Sequence, residues 1–253
     1  MDGKKIRLSL KHVNKKFYTK SEAFEAVKDV SLDVYDNEFL VVLGPGHCGK
    51  SVLLNIMDGL DAPTSGEVLL DGKTHNKPNR DIAMVFQKTG LMPWKTVMQN
   101  TELGLKFAGV KKEKRRQAAQ KYIDLVGLKG FEKHYPSQLS GGMKQRVGIA
   151  RAYAADPQLL LMDEPFGALD AQTRYAMEEE ISRLWEQDKR TVVFVTNNIE
   201  EAVYLGDRIV LLSGCPATVK KIYEIDLSRP RNFVDPYFME IRQEIAENTD
   251  LAL

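Results

Sequence analysis

The sequence predicts an α/β protein: a mostly parallel sheet flanked by helices, with an N-terminal antiparallel β-subdomain and an inserted helical subdomain. Three observations predict it. Short segments near the N-terminus alternate apolar and polar residues. Later runs of four or five residues are apolar throughout, as strands buried on both faces of a parallel sheet are. Between residues 88 and 155, apolar residues recur only at helical spacing.

The elements follow in order. Ile6, Leu8 and Leu10 alternate with Arg7, Ser9 and Lys11, which reads as a strand with one face in water. Val30, Leu32 and Val34 repeat the pattern, and a third strand over Glu67–Leu70 runs into the turn signal Asp71-Gly72. Phe39–Leu43 is the first wholly apolar run; Ile82–Phe86, Leu159–Met162, Thr191–Val195 and Ile209–Leu212 are of the same type. Helical patterns separate several of them, as βαβ crossovers require. The charge run Lys111–Arg116 reads as a solvated helix face, followed by Ala118, Ala119, Tyr122, Leu125 and Val126, with Gly127 as the stop. Asp235-Pro236 starts a last helix with Phe238, Ile241 and Ile245 on one side. The expected organisation is a core over 1–87 and 156–230 that includes the antiparallel subdomain, a helical subdomain over 88–155, and a helical tail over 231–253. There is no internal repeat and no low-complexity linker.

Composition narrows the function. Thirty-six Lys and Arg balance 35 Asp and Glu, a net charge of +1, so nothing global draws the chain to nucleic acid or an anionic membrane. No apolar run approaches the ~20 residues of a membrane helix. The start, MDGKKIRLSLKHV, lacks the apolar stretch of a secretory signal. Cys48 and Cys215 make no disulfide framework, and a reducing cytosol fits them.

Gly44-Pro45-Gly46-His47-Cys48-Gly49-Lys50-Ser51 fits the phosphate-loop pattern G-x-x-x-x-G-K-[ST]. The buried strand before it and the helical pattern from Lys50 to about Asp58 give the context of a P-loop NTPase core. Glycines let the backbone fold so that N–H groups face phosphates, and a helix N-terminus adds positive potential. Lys50 is expected to reach the β- and γ-phosphates and the Ser51 hydroxyl to ligate Mg²⁺. Leu159–Met162 ends in Asp163 and Glu164. Ligands of parallel sheets sit at the carboxyl ends of strands, so Asp163 is expected on Mg²⁺ and Glu164 as the general base for an attacking water. Leu139-Ser140-Gly141-Gly142-Met143-Lys144-Gln145-Arg146 precedes a further helix and forms a second anion site by the same reasoning; taken alone it is also an ordinary helix cap.

Together these segments resemble the ATP-binding cassette (ABC) ATPases over nearly the whole chain: the phosphate loop, Gln87, LSGGMKQR, LLLMDEP, Gly167-Ala168-Leu169-Asp170 and VTNNIEEA, in the family's order. The resemblance implies a cassette that pairs head to tail with a second copy or a homologue and buries two ATPs. It implies nucleotide contacts from Gly44 to Val52 and a metal and water contact at Gln87. It also implies closure of Leu139, Ser140, Gly141, Gly142 and Gln145 on the partner's ATP, and a dimer-interface loop at Asp170. Phe17 fits the aromatic that stacks on adenine, with Tyr18 the neighbouring alternative. Leu91-Met92-Pro93-Trp94 and the tail Ile225–Arg231 resemble importers of the nitrate, sulfonate and taurine group. In that group the region around Gln87 receives a short helix of an integral-membrane permease, itself served by an extracytoplasmic solute-binding protein. Trp94 is either part of that region or a packing residue. Such a cassette is cytoplasmic and peripheral on the inner face of the membrane.

The chain departs from the family at three places. Val195-Thr196-Asn197-Asn198 stands where the family has V-T-H-D, so Asn197 replaces a γ-phosphate-contacting His; an amide donates a hydrogen bond but carries no proton. Either hydrolysis is slow and the chain is a hydrolysis-impaired regulatory cassette, or Asn197 serves well enough. Gly46-His47 replaces a common Ser-Gly, and Val52 lacks a hydroxyl that commonly meets the α-phosphate. Cys48 beside bound phosphates is expected to be alkylated, with ATP protecting it. Other readings fit less well. Soluble repair or translation cassettes carry tandem cassettes or long coiled-coil inserts, and Asn76-Lys77-Pro78-Asn79 lacks the Asp of a guanine-reading loop.

Overall fold

The structure is a computed structural model that describes residues 4–18, 22–167 and 169–249. In chain order its elements are β1 (Ile6–Tyr18), β2 (Ala23–Tyr35), β3 (Phe39–Leu43), α1 (Lys50–Asp58), β4 (Ser65–Leu70), β5 (Lys73–Thr74), β6 (Ile82–Val85), α2 (Val97–Thr101), α3 (Leu103–Phe107), α4 (Lys112–Leu125), α5 (Gly141–Ala154), β7 (Leu159–Asp163), α6 (Ala171–Gln187), β8 (Thr191–Thr196), α7 (Ile199–Leu205), β9 (Arg208–Leu212), β10 (Val219–Glu224) and α8 (Pro236–Asn248). They fall into two compact units, residues 1–79 with 190–253, and residues 80–189.

The first unit holds an antiparallel sheet in the order β2-β1-β4-β5 and the strands β10-β9-β3-β8. Here β3 pairs parallel with β8 and β9, while β10 runs antiparallel to β9. Every residue of β3, β8 and β9 is buried, as their apolar runs require. The Asp71-Gly72 turn joins β4 to β5 with both residues at positive φ, the geometry of a type I′ hairpin.

β1 corrects the expected wet face. Arg7 and Ser9 are buried, whereas Ile6 is exposed. Arg7 donates to Asp36 at 2.6 Å and Asp71 at 2.8 Å, and the Ser9 hydroxyl donates to Asp33 at 2.6 Å. Polar groups enter a core when such partners meet them there. The edge strand β10 has no counterpart in the sequence-based reading, because its Lys220, Lys221 and Glu224 are exposed and its pattern is weak. Beyond it, Arg231 is buried, and its Nη1 donates to the carbonyls of Val203 (2.6 Å) and Gly206 (2.7 Å) at the end of α7. A cation there satisfies last-turn carbonyls and complements the helix dipole.

The second unit pairs β6 parallel with β7 and carries α2 to α6. β6 is shorter than expected: it ends at Val85, and Phe86 is exposed beyond it. α4 presents Lys112–Lys114 and Arg116 to solvent and buries Ala119, Tyr122 and Ile123; Gly127, at φ 68°, follows its end. α5 buries Val147, Ile149, Ala150, Ala152 and Tyr153. Ala168 and the last four residues lie outside the described residues.

Candidate functional site

The phosphate loop of the first unit leaves the carboxyl end of β3 and enters α1. Gly49 sits at φ 113°, and a Cβ there would lie 2.5 Å from the Ala26 carbonyl oxygen, so only glycine fits. No side chain caps α1, nor α3 or α4, whereas side chains cap α2, α5, α6, α7 and α8. The loop therefore offers its helix end to an anion rather than to a carboxylate or hydroxyl of its own. Lys50 is buried, and its ammonium donates to the carbonyls of Gly44 (2.9 Å) and Pro45 (2.7 Å), arching over the loop. Ser51 is exposed at the first turn and Val52 is half-buried.

His47 has a left-handed backbone, φ 61°. The geometry explains why glycine is common there, since an L side chain in this region costs about 1–2 kcal/mol. His47→Gly gives back part of this in unfolded-chain entropy, leaving a net gain of roughly 0.5–1 kcal/mol. A thermal midpoint about 2 °C above wild type in scanning calorimetry is the expected result; an unchanged or lower midpoint counts against strain at this position.

The Cys48 side chain packs inward, with its sulfur beside Gly44. Its side chain is 1% exposed, and burial pushes the thiol up, an effect that Lys50 partly offsets. Cys215 is the exposed thiol. The expectation that Cys48 is readily alkylated is therefore corrected, because a buried, protonated thiol is a poor nucleophile. Iodoacetamide followed by peptide mass mapping is expected to modify Cys215 well before Cys48; equal rates would contradict the burial.

Both aromatics near the loop are solvent-facing, Phe17 at 39% and Tyr18 at 72% exposure. Phe17 pairs in register with Phe24, two residues from the Ala26 carbonyl that touches Gly49, so β1 and β2 bring Phe17 toward the loop. At the end of β8, the Thr196 hydroxyl is buried and donates to Glu201 at 2.5 Å. Asn198 caps α7 by accepting from the Glu200 and Glu201 amides. Asn197, between them, is exposed. Its side chain takes no part in either of these bonds.

In the second unit, β7 delivers Asp163 and then Glu164, both half-buried. Glu164 has φ 41°, a conformation that costs about 1–3 kcal/mol in a non-glycine residue and persists at functional sites. Gln87 is exposed after β6, and a Cβ on Gly167 would lie 3.4 Å from its amide nitrogen and 3.8 Å from the Glu164 Cβ. Gln87 and Glu164 thus converge beside the same glycine. Ser140 caps α5, accepting from Met143 N at 3.2 Å. A Cβ on Gly142 would meet Thr173 Cγ2 at 2.8 Å, which explains a small residue there. A cavity of about 480 Å³ is lined by Gln87, Gly141, Gln145, Pro165 and Leu169, among others. Leu139 is buried. Asp170 caps α6, accepting from Thr173 N (3.0 Å) and Oγ1 (2.7 Å), and the Thr173 amide holds its carboxyl below the usual carboxylate range. The sequence-based reading gives Asp170 no such cap. It also leaves out Arg151, a cation within the apolar run of α5; that interruption is the signal that marks it.

Comparison with known proteins gives the family. The ABC transporter family model matches residues 27–167. An uncharacterized ABC transporter ATP-binding protein, MJ0412 of Methanocaldococcus jannaschii, is 49% identical over 96% of this chain and 91% of its own. The aliphatic sulfonates import ATP-binding protein SsuB of Bacillus anthracis is 41% identical over 96% of this chain and 95% of its own. Among solved structures, the dimeric bacterial ABC transporter cassette MJ0796 superposes with a TM-score of 0.78 at 37% identity, covering 87% of this chain and all of that one. A dimeric post-hydrolysis state of the same cassette, bound to ADP and Pi, gives 0.77. The chain belongs to the ABC transporter family: it is an ATP-binding cassette, an ATPase coupled to transport. No helix among the described residues is long and apolar enough to cross a membrane.

Proposed function

We propose that the chain is the energy-coupling subunit of an importer, closing as a dimer around two ATPs to drive an integral-membrane permease. The observation that carries this is the uncapped α1 behind a loop whose lysine lies over backbone carbonyls, ready to exchange them for phosphate oxygens. In this reading residues Gly44 to Val52 hold the phosphates, Phe17 or Tyr18 stacks on adenine, and Glu164 accepts the proton of the attacking water. Leu139, Ser140, Gly141, Gly142 and Gln145 face the second copy's nucleotide, with Asp170 in the dimer-interface loop. Ser51, Asp163 and Gln87 offer a hydroxyl, a carboxylate and an amide oxygen, a hard donor set that suits Mg²⁺. The ion would neutralise charge on the β- and γ-phosphates. As domains, the core spans 1–87 and 156–230, the helical subdomain 88–155 and the tail 231–253.

The permease would dock near Gln87. Trp94 is 69% exposed, which argues against a packing role, and a cavity of about 350 Å³ beside it in sequence is lined by Ala83, Met84, Phe86, Leu103 and Phe107. Exposed aromatic groups around an apolar recess are a partner surface rather than a solvated one. The cassette would then be cytoplasmic and peripheral on the inner face of the membrane, fed indirectly by a solute-binding protein. The named sulfonate importer among its relatives favours nitrate-, sulfonate- or taurine-like small solutes.

The test is reconstitution with a candidate sulfonate permease. The pair in liposomes is expected to hydrolyse Mg-ATP and accumulate a sulfonate, and Phe86→Ser with Trp94→Ala is expected to abolish assembly while leaving ATP binding intact. Assembly unaffected by the double variant would reject the docking site. A wild-type chain that never assembles with the permease would reject the importer role. The second reading, a hydrolysis-impaired regulatory cassette, rests on the exposed Asn197.

A further inference from the structure

We infer that Arg151 is a positioning residue that ties the loop behind Gln87 to the helix bearing the LSGG segment. The inference rests on the reading of Gln87 given above. Arg151 lies in α5, three turns beyond Ser140. Its Nη2 donates to the Thr89 carbonyl at 2.6 Å and its Nη1 to the Gly90 carbonyl at 2.9 Å. These are consecutive carbonyls, the first only two residues past Gln87.

Arg151 is half-buried, and burial lowers its pKa with no carboxylate among the described residues to offset it. A cation kept from water without an anion is costly unless hydrogen bonds compensate. Here the compensation comes from the two loop carbonyls. A packing role in α5 would be filled by Leu or Met at no such cost. Residues 86–91 belong to no helix or strand, so no ladder fixes them. The far end of the segment is held separately, by Asn100 bonded to Met92 through both its backbone groups. Arg151 thus fixes the middle of the loop, the part adjoining Gln87. Helix and loop are also close at Gly148, where a Cβ would lie 3.8 Å from Thr89. A rigid guanidinium fork spans two adjacent carbonyls; an ammonium offers a single point.

The experiment compares Arg151→Met, Arg151→Lys, Gln87→Ala and the Arg151→Met/Gln87→Ala pair by kcat, ATP affinity and amide hydrogen exchange. For Arg151→Met, kcat is expected to fall about tenfold or more, because a misplaced catalytic contact is expensive, while ATP Kd stays within about twofold. Amides of residues 88–91 should exchange about tenfold faster. Arg151→Lys should recover part of kcat, and it carries the test if the Met variant does not fold. In the Gln87→Ala background, Arg151→Met should cost less than about twofold more, since residues acting as one unit are non-additive. Unchanged exchange at 88–91 overturns the proposal, as does multiplication of the two losses. A Gln87→Ala variant with normal kcat removes the reading of Gln87 instead, and hydrogen exchange still decides whether Arg151 holds the loop.

Discussion

Glu164→Gln is expected to lower kcat for ATP hydrolysis by about a thousandfold, within the range that a positioned general base supplies. The substitution keeps the size and hydrogen-bonding outline of the side chain and removes only its capacity to accept a proton. Backbone strain at this residue, φ 41°, is the same for both side chains, so stability should hardly change. ATP affinity should stay within about threefold, because phosphate binding is assigned to the loop that ends in Lys50 and Ser51. Once hydrolysis is blocked, ATP remains bound and two copies should persist as a dimer in sedimentation velocity with Mg-ATP, whereas ADP leaves monomers. A variant with kcat within tenfold of wild type, or one monomeric at every ATP concentration tried, would remove Glu164 from its role.

Asn197→His is expected to raise turnover by about 100-fold, the lower end of what a single donor to a developing negative charge supplies. The surroundings suit the exchange. Thr196 is committed to Glu201 and Asn198 to the α7 amides, so position 197 is exposed and changes without disturbing either bond. The variant should also acquire a pH dependence near the ordinary imidazole value of ~6.5 that wild type lacks. Turnover and pH profile both unchanged would mean that the amide already does what the imidazole would, and the regulatory reading would fall with the prediction.

Three residues show how far the sequence reaches. Lys50, Glu164 and Asn197 each stand at the end of a buried strand or beside a helix start, and a run of four or five apolar residues followed by a glycine or a polar residue announces such a place without tertiary information. β3, β7 and β8 were legible for that reason, and the same holds for α1, α5 and α8, whose apolar spacing is local. Arg7 and Ser9 were not legible. Their alternation with leucines says only that they face away from Leu8 and Leu10; the carboxylates that draw them inward come from Asp33, Asp36 and Asp71, on other segments. Cys48 is a second case. Its place in the loop motif is fixed by sequence, but the direction of its thiol depends on Gly44, beside which the sulfur packs.

Sequence by itself determined the class of this protein, the loop that meets phosphate and the strand ends that carry its acids, because backbone conformation, helix dipoles and burial of apolar runs are set within a few residues. Tertiary structure alone decided that Arg151 grips the loop after Gln87, that Arg231 closes α7 and that Cys215 is the open thiol. Each of these depends on a partner group brought from far along the chain, and the desolvation that makes such a contact matter exists only once the segments have packed.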